Sequence, residues 1–268
     1  MQKLGMYVGL SRYGLSFEAR LRMVKDAGFD LVCLNYDPET WHSELALAER
    51  FGMPVPEVHL TGDGMSAVWT DGEEAEAVIS RLIGELRVLP EAGSPVGIAH
   101  VTWGRAPLPP PSESALRRFE RVAEAAERFG VRVAFENSVS DAPLAFVLDH
   151  IRSDAVGFCY DSGHENAFTP DAHFLDRYGD RLIAMHLHDN NGTIDNHYAP
   201  FEPKGTIDWD RTAAALNKTA LFRERIILEP GFQSWQPIEA LVADCYKAAR
   251  RLAVISGGGR SPARITRT

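Results

Sequence analysis

Short apolar runs alternate with longer amphipathic segments along almost the whole chain. Eight of the runs are dense in Val, Ile, Leu and Phe, as strands buried on both faces should be. These runs are residues 3–9, 31–35, 55–60, 97–101, 131–136, 156–160, 182–188 and 225–229. Between them, Ser, Asp or Pro at the starts and Gly after the ends are typical of helix boundaries. The predicted helices are residues 16–27, 43–51, 73–89, 113–129, 143–152, 170–178, 209–216 and 237–255.

Eight strand–helix units in about 255 residues predict one α/β domain, a single (β/α)8 TIM barrel over residues 1–256. A doubly wound open sheet is the alternative. It usually has fewer strands and often a Gly-rich phosphate loop, whereas this chain contains neither GxGxxG nor GxxxxGKS/T. Residues 257–268 show no apolar pattern, so we expect a disordered C-terminal tail.

Composition narrows the class of protein. The 268 residues include 28 Lys and Arg against 37 Asp and Glu, which gives a net charge of −9. An acidic chain lacks the diffuse positive field that attracts nucleic acids and anionic membranes, so we expect neither partner. Cys33, Cys159 and Cys245 are far apart and form no CxxC motif, which favours a reducing compartment. Without a recognisable signal peptide or membrane segment, the sequence predicts a cytoplasmic protein.

Polar, chemistry-bearing residues concentrate where the predicted strands end. The carboxyl ends of barrel strands are where TIM-barrel enzymes carry their catalytic groups. Six of the nine histidines lie at these ends or in the loop after strand 7. The residues are His59, His100, Glu136, Asp161, His164, His186, His188, Asp189, Asp195, His197 and Glu229.

Three of these residues, Glu136, Asp161 and Glu229, are carboxylates at the ends of apolar strands. Buried carboxylates need a cation or several hydrogen-bond donors, and three at one narrow mouth would repel one another. A divalent ion relieves that repulsion, and carboxylates with imidazoles suit Mn, Mg, Co, Fe or Zn. A salt-bridge network is the alternative, but the nearest basic residues, Arg105 and Lys204, lie further out on loops.

Two short motifs leave the ligand assignment open. His186 and His188 are two residues apart on a strand, so both side chains face the same way and spacing does not choose between them. In DSGH, Asp161 ends strand 6 and His164 follows a glycine that permits a tight turn. One of these two side chains can reach a metal while the other reaches a substrate.

Six motifs follow one another at successive strand ends. They are AGFD (27–30), VAEAAERFGVRVAFEN (122–137), DSGH (161–164), HLHDN (186–190), GTIDW (205–209) and LEP (228–230). In this order, residues 3–255 resemble the xylose-isomerase-like barrel superfamily, which includes sugar-phosphate isomerases and epimerases, inosose-processing enzymes and endonuclease IV. The sequence departs from that pattern at Asn35, where many relatives have Glu, and at FEPKG (201–205), where many read PGxG.

The resemblance implies one divalent metal ion held by a carboxylate–histidine set. The implied ligands are Glu136, Asp161, His186 and Glu229, with His188 as a substrate contact. In relatives closer to ketose epimerases, the strand-7 ligand would instead be His188.

The first functional hypothesis is therefore a metal-dependent isomerase or epimerase of a sugar, sugar phosphate or polyol ketone. The metal would stabilise an enediolate, and Glu136 and Glu229 would exchange the roles of base and acid. His164 and His188 would hydrogen-bond the developing oxyanion. Trp103 could stack on the sugar, as could Trp69 or Trp235. Lys204 or Arg105 could hold a phosphate, although surface charge is the simpler interpretation.

Three alternatives remain. A dehydratase or lyase acting on an inosose-like substrate would share the first step. An endonuclease-IV-like phosphodiesterase would bind up to three zinc ions, and the sequence offers further ligands for it: His59, His100, Asp195 and His197. A non-catalytic metal- or sugar-binding barrel would use the same fold. Barrels of this type often dimerise, so a homodimer is also compatible with the sequence.

Overall fold

The computed structural model describes residues 2–93, 95–104 and 109–256. All the described strands belong to one parallel sheet with the order β7-β6-β5-β4-β3-β2-β1-β8. The strands are β1 (Lys3–Tyr7), β2 (Leu31–Asn35), β3 (Glu57–His59), β4 (Val96–His100), β5 (Arg132–Glu136), β6 (Val156–Asp161), β7 (Leu182–His186) and β8 (Arg225–Leu228).

The sheet curves until its two edge strands meet. Just beyond the end of β7, Leu187 forms a parallel bridge with Leu228. The Leu187 amide donates to the Ile227 carbonyl at 3.1 Å, and the Glu229 amide donates to the Leu187 carbonyl at 3.2 Å. This closure confirms the predicted (β/α)8 TIM barrel.

The helices lie between the strands. They are α1 (Phe17–Ala27), α2 (Trp41–Arg50), α3 (Glu73–Leu86), α4 (Glu113–Phe129), α5 (Asp141–His150), α6 (Ser162–Phe168), α7 (Phe174–Tyr178), α8 (Trp209–Leu216), α9 (Ala220–Glu224) and α10 (Ile238–Ser256). Ser16 and Ser112 cap α1 and α4 by accepting hydrogen bonds from the amides of Ala19 and Ala115, as the sequence predicts. Among the described helices, none is long and apolar enough to cross a membrane.

Several predicted boundaries differ from the structure; for example, the strand predicted over 3–9 ends at Tyr7 and the helix predicted over 73–89 ends at Leu86. The strand predicted over 182–188 ends at His186, because the sheet closes through Leu187 beyond it. The helix predicted over 170–178 begins only at Phe174. A separate helix, α6, starts directly after β6, because the Asp161 side chain accepts the His164 amide at 2.6 Å and caps it. The predicted tail, residues 257–268, lies outside the described residues.

The barrel interior is filled below the mouth. Gly5 faces Ile227 there, since a Cβ at Gly5 would lie 2.5 Å from Ile227 Cδ1. Side chains alternate along a strand, so Glu57 shares the inner face of β3 with His59. The fully buried Glu57 carboxylate lies 3.6 Å from the Arg225 guanidinium. Burial raises the pKa of Glu57 to about 7, although Arg225 opposes the shift.

Candidate metal centre

The side chains predicted from the strand ends meet at one mouth of the barrel. All eight strands are parallel, so their carboxyl ends share that mouth. In the sheet register, His100 pairs with Glu136 and Asp161 pairs with His186. The chemistry-bearing residues that lie within 4.0 Å of at least one other are His59, His100, Glu136, Asp161, His164, His186, His188, Asp195, His197 and Glu229.

Three carboxylates approach His186 Nδ1, and two of them, Asp161 and Glu229, form one compact donor group with it. This nitrogen lies 3.2 Å from Glu136 Oε1 and 3.3 Å from Glu229 Oε2. It lies 3.8 Å from Asp161 Oδ2. Metal bonds of about 2.0–2.2 Å place adjacent ligand atoms about 3 Å apart, so the two shorter spacings suit ligands of one small cation. The set is the four-residue group implied by the sequence resemblance.

Buried atoms without partners show that a cation fits this donor set. Glu136 Oε2 and His100 Nε2 are buried and have no hydrogen-bond partner in the described part of the chain. They lie 3.1 Å apart without the orientation of a hydrogen bond. Leaving such atoms unpaired is costly, and a divalent ion bound by Glu136 would satisfy its oxygen; His100 lies beside the four-residue set and is not a member of it. Carboxylate oxygens and imidazole nitrogens together suit Mn, Mg, Co or Zn.

The electrostatics of the mouth are consistent with a cation site. Burial opposes the charge on Glu136, but the His186 and His100 rings hold its pKa well below the usual range. Burial also opposes the charge on His186, yet Cys159 and the Glu229 carboxylate raise its pKa well above the usual value. Protonated imidazoles thus balance the buried carboxylates, which is the role that a bound divalent ion would take.

The structure separates the two strand-7 histidines. His186 ends β7 and faces the carboxylates, whereas His188 lies beyond the closing bridge. His188 Nε2 is 3.1 Å from Asp161 Oδ2, and the His188 ring stacks on His197 with centroids 3.9 Å apart. His188 is fully buried and does not line the open cavity. The His197 ring covers His188, and the role of His188 as a substrate contact stays a prediction.

A second donor group comprises His188, Asp195 and His197. Asp195 Oδ2 lies 2.8 Å from His197 Nε2 and 3.3 Å from His164 Nε2. His197 adopts a left-handed backbone with φ of 50°, which is uncommon outside glycine. Burial opposes the charge on His197, but the Asp195 carboxylate raises its pKa to about 9. A third group, His59, Glu136 and His186, shares two members with the four-residue set.

Tyr7 is a residue of the site that was not predicted from the sequence. It is the last residue of β1, and its buried hydroxyl lies 3.1 Å from His186 Nε2. Burial raises the pKa of Tyr7 well above its usual value, and Cys33 and Glu57 add to the shift. The phenol is therefore neutral and can accept a hydrogen from His186 Nε2. The strand predicted over 3–9 runs two residues past Tyr7, so the sequence offered no strand-end signal for it.

Asp189 supports the loop rather than the centre. Its carboxylate accepts hydrogen bonds from the Thr206 and Ile207 amides, both at 3.1 Å, and from Trp209 Nε1 at 2.7 Å. A Cβ at Gly205 would overlap that carboxylate. The GTIDW motif is thus explained by the close approach of this loop to Asp189.

Some of the predicted substrate contacts line the cavity above the candidate metal centre and others do not. Trp103 is 45% exposed and lines the cavity of about 390 Å³ above the centre, with its ring 5.3 Å from the His100 ring. Asn35 lines the same cavity. Lys204 does not, because its ammonium lies 3.6 Å above the Trp235 ring. Arg105 lies outside the described residues.

Two other expected contacts are also resolved by position. Trp69 is buried, donates its indole N–H to the Val101 carbonyl at 2.7 Å and lines a neighbouring cavity rather than the one above the centre. His164 does line the cavity, with Nδ1 3.2 Å from Glu136 Oε1.

Comparisons with known proteins place this geometry among related barrels. A family model described as "Xylose isomerase-like TIM barrel" matches residues 21–246. The uncharacterized protein y4fM of Sinorhizobium fredii is 38% identical over 114 residues, which is 40% of this chain. That match spans only 36% of the relative's own length.

Solved structures share the fold over nearly their whole length. A D-psicose 3-epimerase from Clostridium cellulolyticum H10, crystallised with D-tagatose, superposes with a TM-score of 0.73 at 16% identity, covering 94% of this chain and 99% of that one. An L-ribulose 3-epimerase gives a TM-score of 0.72 at 18% identity, covering 98% of this chain and 100% of that one. At such identities the likeness establishes the fold alone.

Proposed function

Because the chain belongs to the xylose isomerase-like TIM barrel family, we propose that it is a divalent-metal-dependent isomerase or epimerase. The substrate class is a sugar or polyol ketone, in keeping with the sugar epimerases that share the fold. The observation that carries the proposal is the convergence of Glu136, Asp161 and Glu229 on His186 Nδ1.

These four residues would hold the metal, and the neighbouring side chains would bind and orient the substrate. A divalent ion at this centre supplies a Lewis acid that polarises a carbonyl and lowers the free energy of an enediolate. Trp103 presents an exposed ring at the cavity wall, on which a sugar face can stack.

Proton transfer would fall to Glu136 and Glu229. Both carboxylates line the cavity and approach His186 Nδ1 from different strands. One would remove the proton beside the carbonyl and the other would return a proton to the opposite face of the same carbon or to its neighbour. The His186 and His100 rings hold the pKa of Glu136 well below its usual range, so this carboxylate is ionised before substrate binds. His164 lines the same cavity beside Glu136 and would donate to the developing oxyanion if its Nε2–H turned from Asp195 to the substrate.

Deuterium exchange tests the proton-transfer step directly. Metal-loaded protein in D₂O is incubated with a panel of ketoses and inososes, and loss of the α-proton is followed by NMR. We expect exchange in the wild type and a loss of at least ~100-fold in Glu136→Gln and in Glu229→Gln. The exposed Glu239→Gln serves as the matched control and should exchange normally. Wild-type exchange in either active-site variant would exclude the two-carboxylate mechanism.

A second function has one specific observation in its favour. The donor groups around His59 and around Asp195 exceed what a single-metal reaction requires. They would allow an endonuclease-IV-like phosphodiesterase with up to three zinc ions. The net charge of −9 argues against a nucleic-acid substrate. The described residues lining the cavity also include no lysine or arginine.

Metal content distinguishes the two functions. Protein purified without chelator or affinity tag is analysed by mass spectrometry, as wild type and as His59→Ala/His197→Ala. One equivalent that survives the double substitution supports the isomerase. Two to three zinc equivalents that fall in the variant, together with cleavage of abasic DNA, would establish the phosphodiesterase instead.

A further inference from the structure

A side cavity adjoins the metal centre at the carboxyl ends of β1 and β2. Its volume is about 320 Å³, at the lower end of the range for small-molecule sites. The described residues that line it all lie between residues 8 and 44, a stretch that the structure describes without a gap. The lining side chains that carry nitrogen or oxygen are Ser11, Arg20, Asn35, Asp37, Thr40 and Glu44.

Asn35 connects the side cavity with the cavity above the metal centre. It is the last residue of β2, is exposed and lines both cavities. Gly9 lies against it, since a Cβ at Gly9 would come 2.8 Å from Asn35 Nδ2. A substrate with two units could therefore place one unit at the metal centre and the other in the side cavity.

Arg20, on α1, lines the side cavity with a guanidinium that lacks acceptors. The residue is only 7% exposed. One terminal nitrogen donates to the Val8 carbonyl, whereas the buried Nε has no hydrogen-bond partner in the described part of the chain. A guanidinium carries five N–H donors, and leaving buried donors unpaired is unfavourable. A ligand with oxygen atoms in the side cavity would supply acceptors for this group.

Glu44 contributes the opposite charge to the same cavity. It lies half-buried on α2. Burial raises the pKa of Glu44, and the Arg20 charge opposes that shift. Within the described residues, however, no Arg20 nitrogen lies within 4.0 Å of a carboxylate oxygen. The space between the two side chains suits a group that accepts from the guanidinium and donates to the carboxylate.

The mixed charge of the side cavity favours a neutral, hydroxylated ligand. A phosphate would pair with Arg20 but would meet the carboxylates of Asp37 and Glu44, and an ammonium would meet Arg20. An apolar group would desolvate the charged side chains without replacing their hydrogen bonds. A hydroxyl group is uncharged and both donates and accepts. The Phe17 ring also lines the cavity and offers an apolar face to the C–H groups of a sugar.

We propose that the side cavity binds the hydroxyl groups of a second, uncharged sugar unit whose partner unit occupies the metal centre. Arg20 would donate to these hydroxyl groups and Glu44 would accept from them. The proposal rests on the proposed function and specifies its substrate class: a glycosylated keto sugar rather than a free ketose or a sugar phosphate.

Binding measurements with keto sugars test the side cavity. Dissociation constants for fructose, fructose 6-phosphate and four glucosyl fructoses are measured on magnesium-loaded protein by ligand-observed NMR. Turanose, maltulose, leucrose and isomaltulose attach the glucose to different oxygens of fructose, so the panel samples the linkage. We expect at least one of them to bind about tenfold tighter than fructose, because a hydrogen bond to a charged group contributes about that factor. Affinities no greater than that of fructose, or tightest binding of fructose 6-phosphate, would overturn the proposal.

Two variants locate the glucose unit. Ser11 is exposed and lines the side cavity, so Ser11→Trp should fill the cavity and abolish the preference for the glucosyl fructose. Glu44→Gln keeps the size of the side chain and removes its charge, so it should reduce the preference several-fold, since hydrogen bonds to an ionised group are about twice as strong as neutral ones. Ala46→Trp and Glu49→Gln, at exposed positions of α2 outside the cavity, are the matched controls and should keep the preference. A full preference in either Ser11→Trp or Glu44→Gln would show that the glucose binds elsewhere and would reject the proposal.

Failure of this proposal is distinguishable from failure of the proposed function. The described residues that line the side cavity include none of the four metal-centre residues, so the glucosyl preference is measured independently of turnover. Metal binding and deuterium exchange without this preference would leave the proposed function intact and reject the side cavity as a sugar site. A glucosyl preference in protein that binds no metal would reject the proposed function instead.

Discussion

At the scale of single residues, the candidate metal centre depends on side chains that decide which ring nitrogen of a histidine carries the proton. His186 has two ring nitrogens, one facing the carboxylates and one 3.1 Å from the Tyr7 hydroxyl. If Nε2–H donates to that hydroxyl, Nδ1 carries the lone pair that a metal requires. Tyr7 is thus a positioning residue in this interpretation.

Tyr7→Phe should weaken metal binding by about 10–100-fold, because it leaves His186 Nε2 without its acceptor and releases the ring. The dissociation constant is measured by competition with a chromophoric chelator, a readout that does not depend on turnover. Tyr36→Phe, at a half-buried tyrosine outside the cavity, is the matched control. Unchanged affinity in Tyr7→Phe would remove Tyr7 from the site.

The residues of the centre were predictable from the sequence to different extents. Glu136, Asp161 and Glu229 are candidates from the sequence because carboxylates at the ends of apolar strands are conspicuous, and the structure brings them within 4.0 Å of His186 Nδ1. The choice between His186 and His188 was not predictable, because both face the same way and only the position of the closing bridge at Leu187 separates them. Where each histidine lies relative to that bridge depends on how β7 pairs with β8. The spacing of residues within one strand does not reveal this pairing.

At the scale of elements, the junction of β6 and α6 sets the position of the second donor group. Asp161 ends the strand and caps the helix, while Gly163 in the first turn of α6 lies against His188. A Cβ at Gly163 would overlap the His188 ring and come 2.5 Å from its Nδ1. From the sequence alone, this glycine is explained by a tight turn. In the structure, the absence of a side chain at Gly163 leaves room for the His188 ring beside α6.

Gly163→Ala should therefore lower the free energy of unfolding by about 1–3 kcal/mol, since the packed ring cannot move freely. Gly84→Ala is the matched control, because Gly84 lies within α3 and a Cβ there meets nothing within 4 Å. That control should gain about 0.5–1 kcal/mol from the helix preference of alanine. Urea unfolding measures both, and equal stability of the two variants would contradict the packing argument.

At the scale of the whole molecule, the barrel was predictable because eight apolar runs at regular spacing leave few other architectures. Short elements were not: α9 has five residues and α6 seven, too few for a clear helical period. The residues that face the inside of the barrel were equally difficult to predict from the sequence. Glu57 looked like part of a strand, and its burial beside Arg225 follows only from strand alternation around the closed sheet.

The charge balance of the mouth links metal binding to the stability of the whole barrel. The pKa of His197 is raised to about 9, and that of Glu136 is lowered well below its usual range. The stability from protonated His197 is fully present below its unfolded pKa of about 6.5 and is lost as the pH rises through about 9. The contribution of ionised Glu136 is present above its unfolded pKa and is lost only at acid pH. Metal-free protein should therefore lose stability between about pH 6.5 and pH 9.

Metal binding should compensate for that loss. Imidazole ligands bind metal in the neutral form, so the affinity increases over the same range of pH. At a manganese concentration of 100 times the dissociation constant, binding stabilises the fold by about 2.7 kcal/mol. In a chain of this size that corresponds to a rise in Tm of about 5–10 °C. We expect the rise to be larger at pH 8.5 than at pH 6, as measured by calorimetry with and without Mn²⁺ after chelator treatment.

The same measurement on two histidine variants assigns the pH dependence. His197→Gln should reduce the difference between pH 6 and pH 8.5, because it removes one of the protons that compete with the metal. It should not abolish that difference, since the pKa values of His164 and His186 are also raised: burial opposes their charge, but Asp161 beside His164 and Cys159 beside His186 outweigh it. His42→Gln, at an exposed histidine on α2, should leave the difference unchanged. A metal-induced rise in Tm that is constant with pH, or larger at pH 6, would show that protons and metal do not compete at this mouth.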